Sequence, residues 1–169
     1  MDAVELRAMQ APIKERYKQD PSAAIITLKA KGSTDTEGLT CKVETGRALA
    51  VAGLHPATGG SGLELCSGDM LLEALVACAG VTLKSVATAI DMPLKQGVVF
   101  AEGDLDFRGT LGVDKEAPVG FAEIRVRFEV DTPAPQEKLD LLLKLTERYC
   151  VVYQTIKNGP KVSVSMKRM

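Results

Sequence analysis

Between residues 67 and 90 the apolar positions Leu71, Leu72, Leu75, Val76, Val81, Leu83, Val86 and Ile90 recur at helical spacing, which predicts a long α-helix. Residues 74–83 carry no charge on any face, so this helix is predicted to be buried all round. Ser67 or Asp69 is placed to cap its start, and Pro93 follows shortly after its end. Gly80 in the middle costs about 1 kcal/mol of helix propensity relative to Ala, which predicts a close approach by another helix or a ligand.

Strand signals flank this helix. Ile25, Ile26, Leu28 and Ala30 lead into a polar turn at residues 32–38, and Leu39, Cys41 and Val43 then alternate, the pattern of a hairpin. Residues 47–53 read as a further strand and residues 54–62 as a Gly- and Pro-containing loop. Residues 98–111 and 121–130 follow as two more strands. The second sets Ile124, Val126, Phe128 and Val130 against Glu123, Arg125, Arg127 and Glu129, the alternation of a half-solvated antiparallel strand. Pro133 and Pro135 introduce a helix with Leu139, Leu142, Leu143 and Thr146 on one face, continuing or breaking near Tyr149. Val162, Val164 and Met166 alternate in a last predicted strand over residues 161–167. The fold class is therefore α+β with antiparallel sheet. Residues 1–20, where Pro12 is expected to break or kink the pattern, form an N-terminal helical arm, and residues 21–169 form a single domain.

Composition narrows the function classes. Lys and Arg total 21 against 22 for Asp and Glu, a net charge of -1 that supplies no field for a polyanion. Only three Tyr and four Phe occur, too few for a row of base-stacking platforms, so no nucleic-acid partner is expected. The N-terminal residues are charged where a leader would be apolar, and the charge-free stretch is ten residues against the ~20 needed to span a bilayer. A cytoplasmic protein without membrane association is expected.

Four cysteines, Cys41, Cys66, Cys78 and Cys150, remain to be explained. Their spacing does not suit a zinc site, and one His cannot complete a set of paired ligands, so no metal or other cofactor is expected. His55, on the loop, reads as a residue bonding backbone rather than as the base of a cysteine hydrolase. Cys78 lies inside the long helix and Cys150 continues the apolar face of the later one. Each alone reads as a core cysteine; two within reach of each other would suit a peroxide-reducing cycle. Cys41 reads as packing, and Cys66, beside a helix start, as a reserve nucleophile or an alternative partner for Cys78.

The stretch Ser67-Gly68-Asp69-Met70-Leu71-Leu72-Glu73-Ala74-Leu75-Val76-Ala77-Cys78 resembles the central helix of the OsmC/Ohr family, in which an alanine-rich helix introduced by an acidic turn carries the reactive cysteine. Arg148-Tyr149-Cys150-Val151-Val152-Tyr153-Gln154-Thr155-Ile156 resembles the family's second cysteine motif, and the likeness covers about residues 22–169. This resemblance implies antiparallel sheets wrapped around long central helices in an intertwined homodimer with active sites at the interface. It implies a thiol peroxidase that reduces organic hydroperoxides, with Cys78 peroxidatic, Cys150 resolving, Asp69 as the acidic positioning residue, and a small or protein-bound dithiol as reductant. An apolar pocket around Leu71, Leu75 and Val81 would favour alkyl over hydrogen peroxide. The family's peroxidase branch takes a thiolate-stabilising arginine from the loop between the first two strands. Here that loop, residues 32–38, has none, and Lys31 and Arg47 are the nearest cations in sequence. The alternative is an OsmC-like dimer without peroxidase activity that binds a small apolar ligand.

Overall fold

A computed structural model describes residues 2–19, 31–34, 40–44, 49–112 and 114–168. The chain begins with helix α1, Ala3–Gln19, whose start is closed reciprocally: the Glu5 amide donates to the Asp2 carboxylate at 2.8 Å and the Asp2 amide to the Glu5 carboxylate at 2.9 Å. The helix runs through Pro12, contrary to the expected break. Ala3 and Leu6 are buried where α1 meets the long helix, while Arg7 reaches Asp91 at 3.2 Å in an exposed ion pair that adds little.

Strands β1 (Lys31–Thr34), β2 (Thr40–Glu44), β3 (Leu49–Gly53) and β4 (Leu65–Cys66) form one sheet in that order. β1 and β2 make the antiparallel hairpin, with Gly32, Ser33 and Thr34 inside the strand rather than the turn; the expected strand residues 25–30 lie outside the described residues. The sheet is not wholly antiparallel, because β4 pairs with β3 in parallel through Ala52 with Leu65 and Gly53 with Cys66. That short pairing delivers the chain directly into α2, Ser67–Ala89.

α2 is the long helix that the periodicity predicts, with different ends. Its N-cap is Cys66, and neither Ser67 nor Asp69 caps it. At the other end the Met92 amide donates to the Ala87 carbonyl at 2.9 Å and the Asp91 amide to Thr88 at 3.2 Å, with Asp91 in the left-handed region at φ 51°. This is a Schellman closure, sealed by the apolar contact of Met92 in the same buried cluster as Ala87.

β5 (Gln96–Leu105) and β6 (Phe121–Asp131) pair antiparallel in a second sheet, joined through the short helix α3, Phe107–Thr110. Helices α4 (Gln136–Tyr149) and α5 (Val151–Asn158) follow. α2 packs against β5, α4 and α5, and the core lies along one stripe of it: Leu75, Ala79, Leu83, Val86 and Ala87. Ala at positions 79 and 87 lets neighbouring elements approach, while Leu75 and Leu142 are the largest apolar side chains wholly removed from water.

Two expectations for α2 are corrected. It is not buried all round in a single chain, since Val81 is 70% exposed on the face away from this stripe and Leu71, one turn before Leu75, is 40% exposed. At Gly80 a Cβ would meet only Val99, at the ordinary contact distance of 3.7 Å, among the described residues. The predicted closing strand is also missing: residues 159–168 have no regular structure, and Val164 is 92% exposed. Alternation is a property of one segment, whereas a strand also needs a neighbour to receive its hydrogen bonds. By length and composition α2 could cross a membrane, although the uncharged stretch within it is much shorter.

Candidate functional site

Cys78 and Cys150 come together in the half of the core where α2 meets α5. Cys78 sits one turn beyond Leu75, beside Ala79, and packs in one cluster with Cys150, Val152 and Tyr153. Cys150 occupies the break between α4 and α5. Its backbone is extended, at φ -73° and ψ 107°, so its amide still ends α4 by donating to the Thr146 carbonyl at 3.0 Å. Its carbonyl already starts α5 by accepting from the Gln154 amide at 2.9 Å. This residue is only 1% exposed.

No side chain of the N-cap satisfies the first amides of α5. The amides of Val151 and Val152 instead lie beside the sulfur of Cys78 and favour its ionised form, at the positive end of the helix dipole. The Thr82 hydroxyl, which donates to the Cys78 carbonyl at 2.8 Å, also lies within hydrogen-bonding reach of that sulfur. Burial pushes the Cys78 thiol up, but hydrogen bonds from the Val152 amide, the Cys150 thiol, the Val151 amide and the Thr82 hydroxyl outweigh it and hold it below the ordinary thiol range. Among the described residues none of these groups is a cation. Burial pushes the Cys150 thiol up; the Tyr153 amide opposes it, but the hydrogen bond and negative charge of Cys78 add to the rise and the Val152 amide offsets little, so Cys150 lies above the ordinary thiol range. Cys78 is thus the more readily ionised of the two and Cys150 the less, the polarity that suits a nucleophile and a resolving partner.

Cys150, but not Cys78, lines a cavity of about 260 Å³. Leu75, Ala79, Ile124, Val126 and Phe128 form its apolar wall, with Thr146 and Cys150 side by side on the α4 wall and Glu147 and Tyr153 also lining it. Leu143, 44% exposed, stands at its rim. Of the residues expected to line a pocket, only Leu75 does; Leu71 and Val81 do not.

The other candidates fall elsewhere. Asp69, nine residues before Cys78, is about 13.5 Å from it along α2. Cys66, twelve residues away and about 18 Å along the axis, cannot reach Cys78 within the chain, which removes it as an alternative partner. Both line a second cavity of about 340 Å³ with His55. His55 bonds backbone as expected: its Nδ1 accepts from the Ala57 amide at 3.0 Å, and its ring stacks on Phe107 at 4.9 Å. Cys41 pairs with Ala52 in the first sheet; its side chain, that of Lys31, and Arg47 lie outside what is described. No three His, Cys, Asp or Glu side chains converge as a metal site among the described residues. Thr82, Thr146 and the α5 amides escaped sequence reasoning. Thr146 does interrupt an otherwise leucine-rich face, a signal in hindsight; the amides leave none.

The family model for OsmC-like proteins matches residues 59–165, the stretch that holds both sulfurs and the helix between β4 and β5. The chain belongs to the OsmC-like family. Solved structures agree. An OsmC-like protein from Mycoplasma pneumoniae superposes with a TM-score of 0.65 at 14% identity, covering 79% of this chain and 89% of that one. An organic hydroperoxide resistance protein OsmC from Legionella pneumophila gives 0.62 at 15% identity, covering 80% and 92%. An organic hydroperoxide resistance protein from Elizabethkingia anophelis, with thiocyanate bound, gives 0.62 at 14% identity, covering 80% and 91%. No curated protein matches the chain. At these identities the likeness establishes the fold, and the chemistry of this OsmC-like chain rests on its own thiols.

Proposed function

We propose that this OsmC-like protein is a thiol-dependent peroxidase that reduces organic hydroperoxides. The observation that carries the reading is the packing of Cys78 against the buried Cys150 at the start of α5, and the opposed displacement of the two thiols, Cys78 down and Cys150 up, supports it. The Cys78 thiolate attacks the distal oxygen of R–O–O–H; the O–O bond breaks, its electron pair leaves with the proximal oxygen, and the alkoxide takes a proton to become the alcohol. Cys78 is left as a sulfenic acid. Cys150, as thiolate, attacks that sulfur and displaces hydroxide, which leaves as water, giving a Cys78–Cys150 disulfide. A small or protein-bound dithiol then reduces the disulfide by exchange, regenerating both thiols.

The α5 amides and Thr82 take over part of the work that a guanidinium would do, so thiolate formation does not depend on an arginine between β1 and β2. Asp69 enters the same proposal as the acidic residue that orients a cation brought near Cys78. The working unit is an intertwined homodimer with interface active sites, and the protein acts in the cytoplasm. Support for the dimer comes from apolar surface without cover in one chain: Val81 on α2 and Val162, Val164 and Met166 beyond α5. Light scattering on the purified protein is expected to give twice the chain mass, and a monomeric mass at micromolar concentration would overturn the dimer.

The decisive assay supplies cumene hydroperoxide with dithiothreitol or dihydrolipoamide, and Cys78→Ser as control. Turnover no faster than the control would sink the peroxidase. The 260 Å³ cavity favours a second reading, an OsmC-like dimer that binds a small apolar ligand without turnover. It is distinguished by a co-purifying ligand and no Cys78–Cys150 disulfide after mild oxidation.

A further inference from the structure

Gln154 ties together the two helices that meet at Cys150. In an unbroken helix the Glu147 carbonyl would accept the Val151 amide, four residues on. The extended backbone of Cys150 ends α4 instead, and the half-buried Gln154 side chain takes that carbonyl, its Nε2 donating at 2.7 Å. The Gln154 backbone amide meanwhile opens α5 by donating to the Cys150 carbonyl at 2.9 Å. Gln154 Oε1 accepts from Asn158 Nδ2 at 2.8 Å, and the same Nδ2 donates to the Gln154 carbonyl at 3.0 Å. With its oxygen held by a donor, the side-chain amide is fixed with its nitrogen toward α4.

The break has a competitor. A helix C-terminus leaves its last carbonyls without intrahelical partners, and the nearest partner for the Glu147 carbonyl is the next amide of a continuing helix. Were Val151 to take it, α4 and α5 would fuse across Cys150, and the Val151 amide would leave the side of the Cys78 sulfur. Gln154 removes that option by filling the carbonyl from the far side of the break. We propose that Gln154 is a positioning residue: its bond to the Glu147 carbonyl keeps the chain broken at Cys150, so that Cys150 and the first turn of α5 stay packed against Cys78. It acts through the backbone and not on the sulfurs. The lowering of the Cys78 thiol agrees with amides held in that place. The inference rests on the peroxidase reading only for what the positioned thiol does; the positioning itself belongs to the break.

The test uses the full-length protein with two substitutions at the clamp. Gln154→Met keeps the length of the side chain but donates nothing, and Asn158→Ala frees the Gln154 oxygen while leaving its nitrogen. Gln136→Met is the control, since Gln136 also donates one side-chain bond, to Asp140 at 2.8 Å, but at the other end of α4. Each reduced protein is alkylated with iodoacetamide across pH and read at Cys78 by peptide mass spectrometry, and turnover of cumene hydroperoxide is measured beside it. Gln154→Met is expected to move the Cys78 profile to higher pH and slow alkylation at neutral pH about fivefold, the size of one hydrogen bond, with the plateau at high pH unchanged. Asn158→Ala is expected to shift it the same way by less, and Gln136→Met to leave it in place. A midpoint unmoved by Gln154→Met, or by Asn158→Ala should Gln154→Met not fold, would overturn the assignment, as would an equal shift in Gln136→Met. A plateau that rises while the midpoint stays is the mark of a merely structural role and would overturn it too. A shift confined to the Gln154 and Asn158 variants, without turnover in any protein, would uphold the positioning and sink the peroxidase; turnover with an unmoved profile would do the reverse.

Discussion

Cys78 packs against the buried Cys150 although 72 residues separate them in the chain. One comes from the middle of α2 and the other from the only extended residue between α4 and α5. The two are displaced in opposite directions because the Val152 and Val151 amides, the Cys150 thiol and the Thr82 hydroxyl outweigh burial at Cys78, whereas burial and the neighbouring Cys78 outweigh the Tyr153 and Val152 amides at Cys150.

That inequality has a pH signature. Alkylation by iodoacetamide follows the thiolate, so its rate at Cys78 rises with pH and is expected to reach half its maximum at a lower pH than that of an ordinary thiol. Cys150→Ala removes a donor and raises the folded value, moving the profile to higher pH; Cys150→Ser keeps a donor and moves it less. Mass spectrometry of alkylated peptides across pH measures both, and a profile unchanged by Cys150→Ala would contradict the hydrogen bond.

The α2 geometry also decides which disulfide forms. One equivalent of hydroperoxide is expected to link Cys78 to Cys150 and leave Cys66 free, because Cys66 is twelve residues up the same helix. Peptide mapping after blocking free thiols reads the pairing directly; a Cys66–Cys78 link would refute it.

Thr146→Val should do something unusual for a core substitution and stabilise the ligand-free protein. Removing a buried hydroxyl that has no partner recovers its desolvation cost, about 1 kcal/mol. The melting temperature is expected to rise by a few degrees. A fall would mean that the hydroxyl is satisfied.

Neighbouring leucines on α4 provide a packing control. Leu142 is 2% exposed in the cluster with Leu83, Val86 and Met92, while Leu143 is 44% exposed. Leu142→Ala is expected to cost about 2–5 kcal/mol by denaturant unfolding. Leu143→Ala should cost less, since nearly half of its surface is already in water. Equal losses would contradict the burial.

The sequence by itself determined the elements whose period shows inside one segment. The Ala- and Leu-rich run became α2, and the alternation from Ile124 to Val130 became a half-buried strand in β6, while the structure decided for a break after Tyr149, at Cys150, where the sequence left the helix continuing or breaking. It also singled out the two sulfurs that meet and read His55 correctly as a backbone cap. Only the tertiary structure decided what depends on a neighbour distant in sequence. Val162, Val164 and Met166 alternate like a strand but find no edge to pair with, and Val81 lies on an uncovered face of α2. Cys66 looks poised at a helix start, yet the rise of that helix carries it out of reach of Cys78. The order of the two thiols and the solitary hydroxyl of Thr146 follow from which backbone amides and which walls surround them, and those groups are assembled by packing, not by spacing.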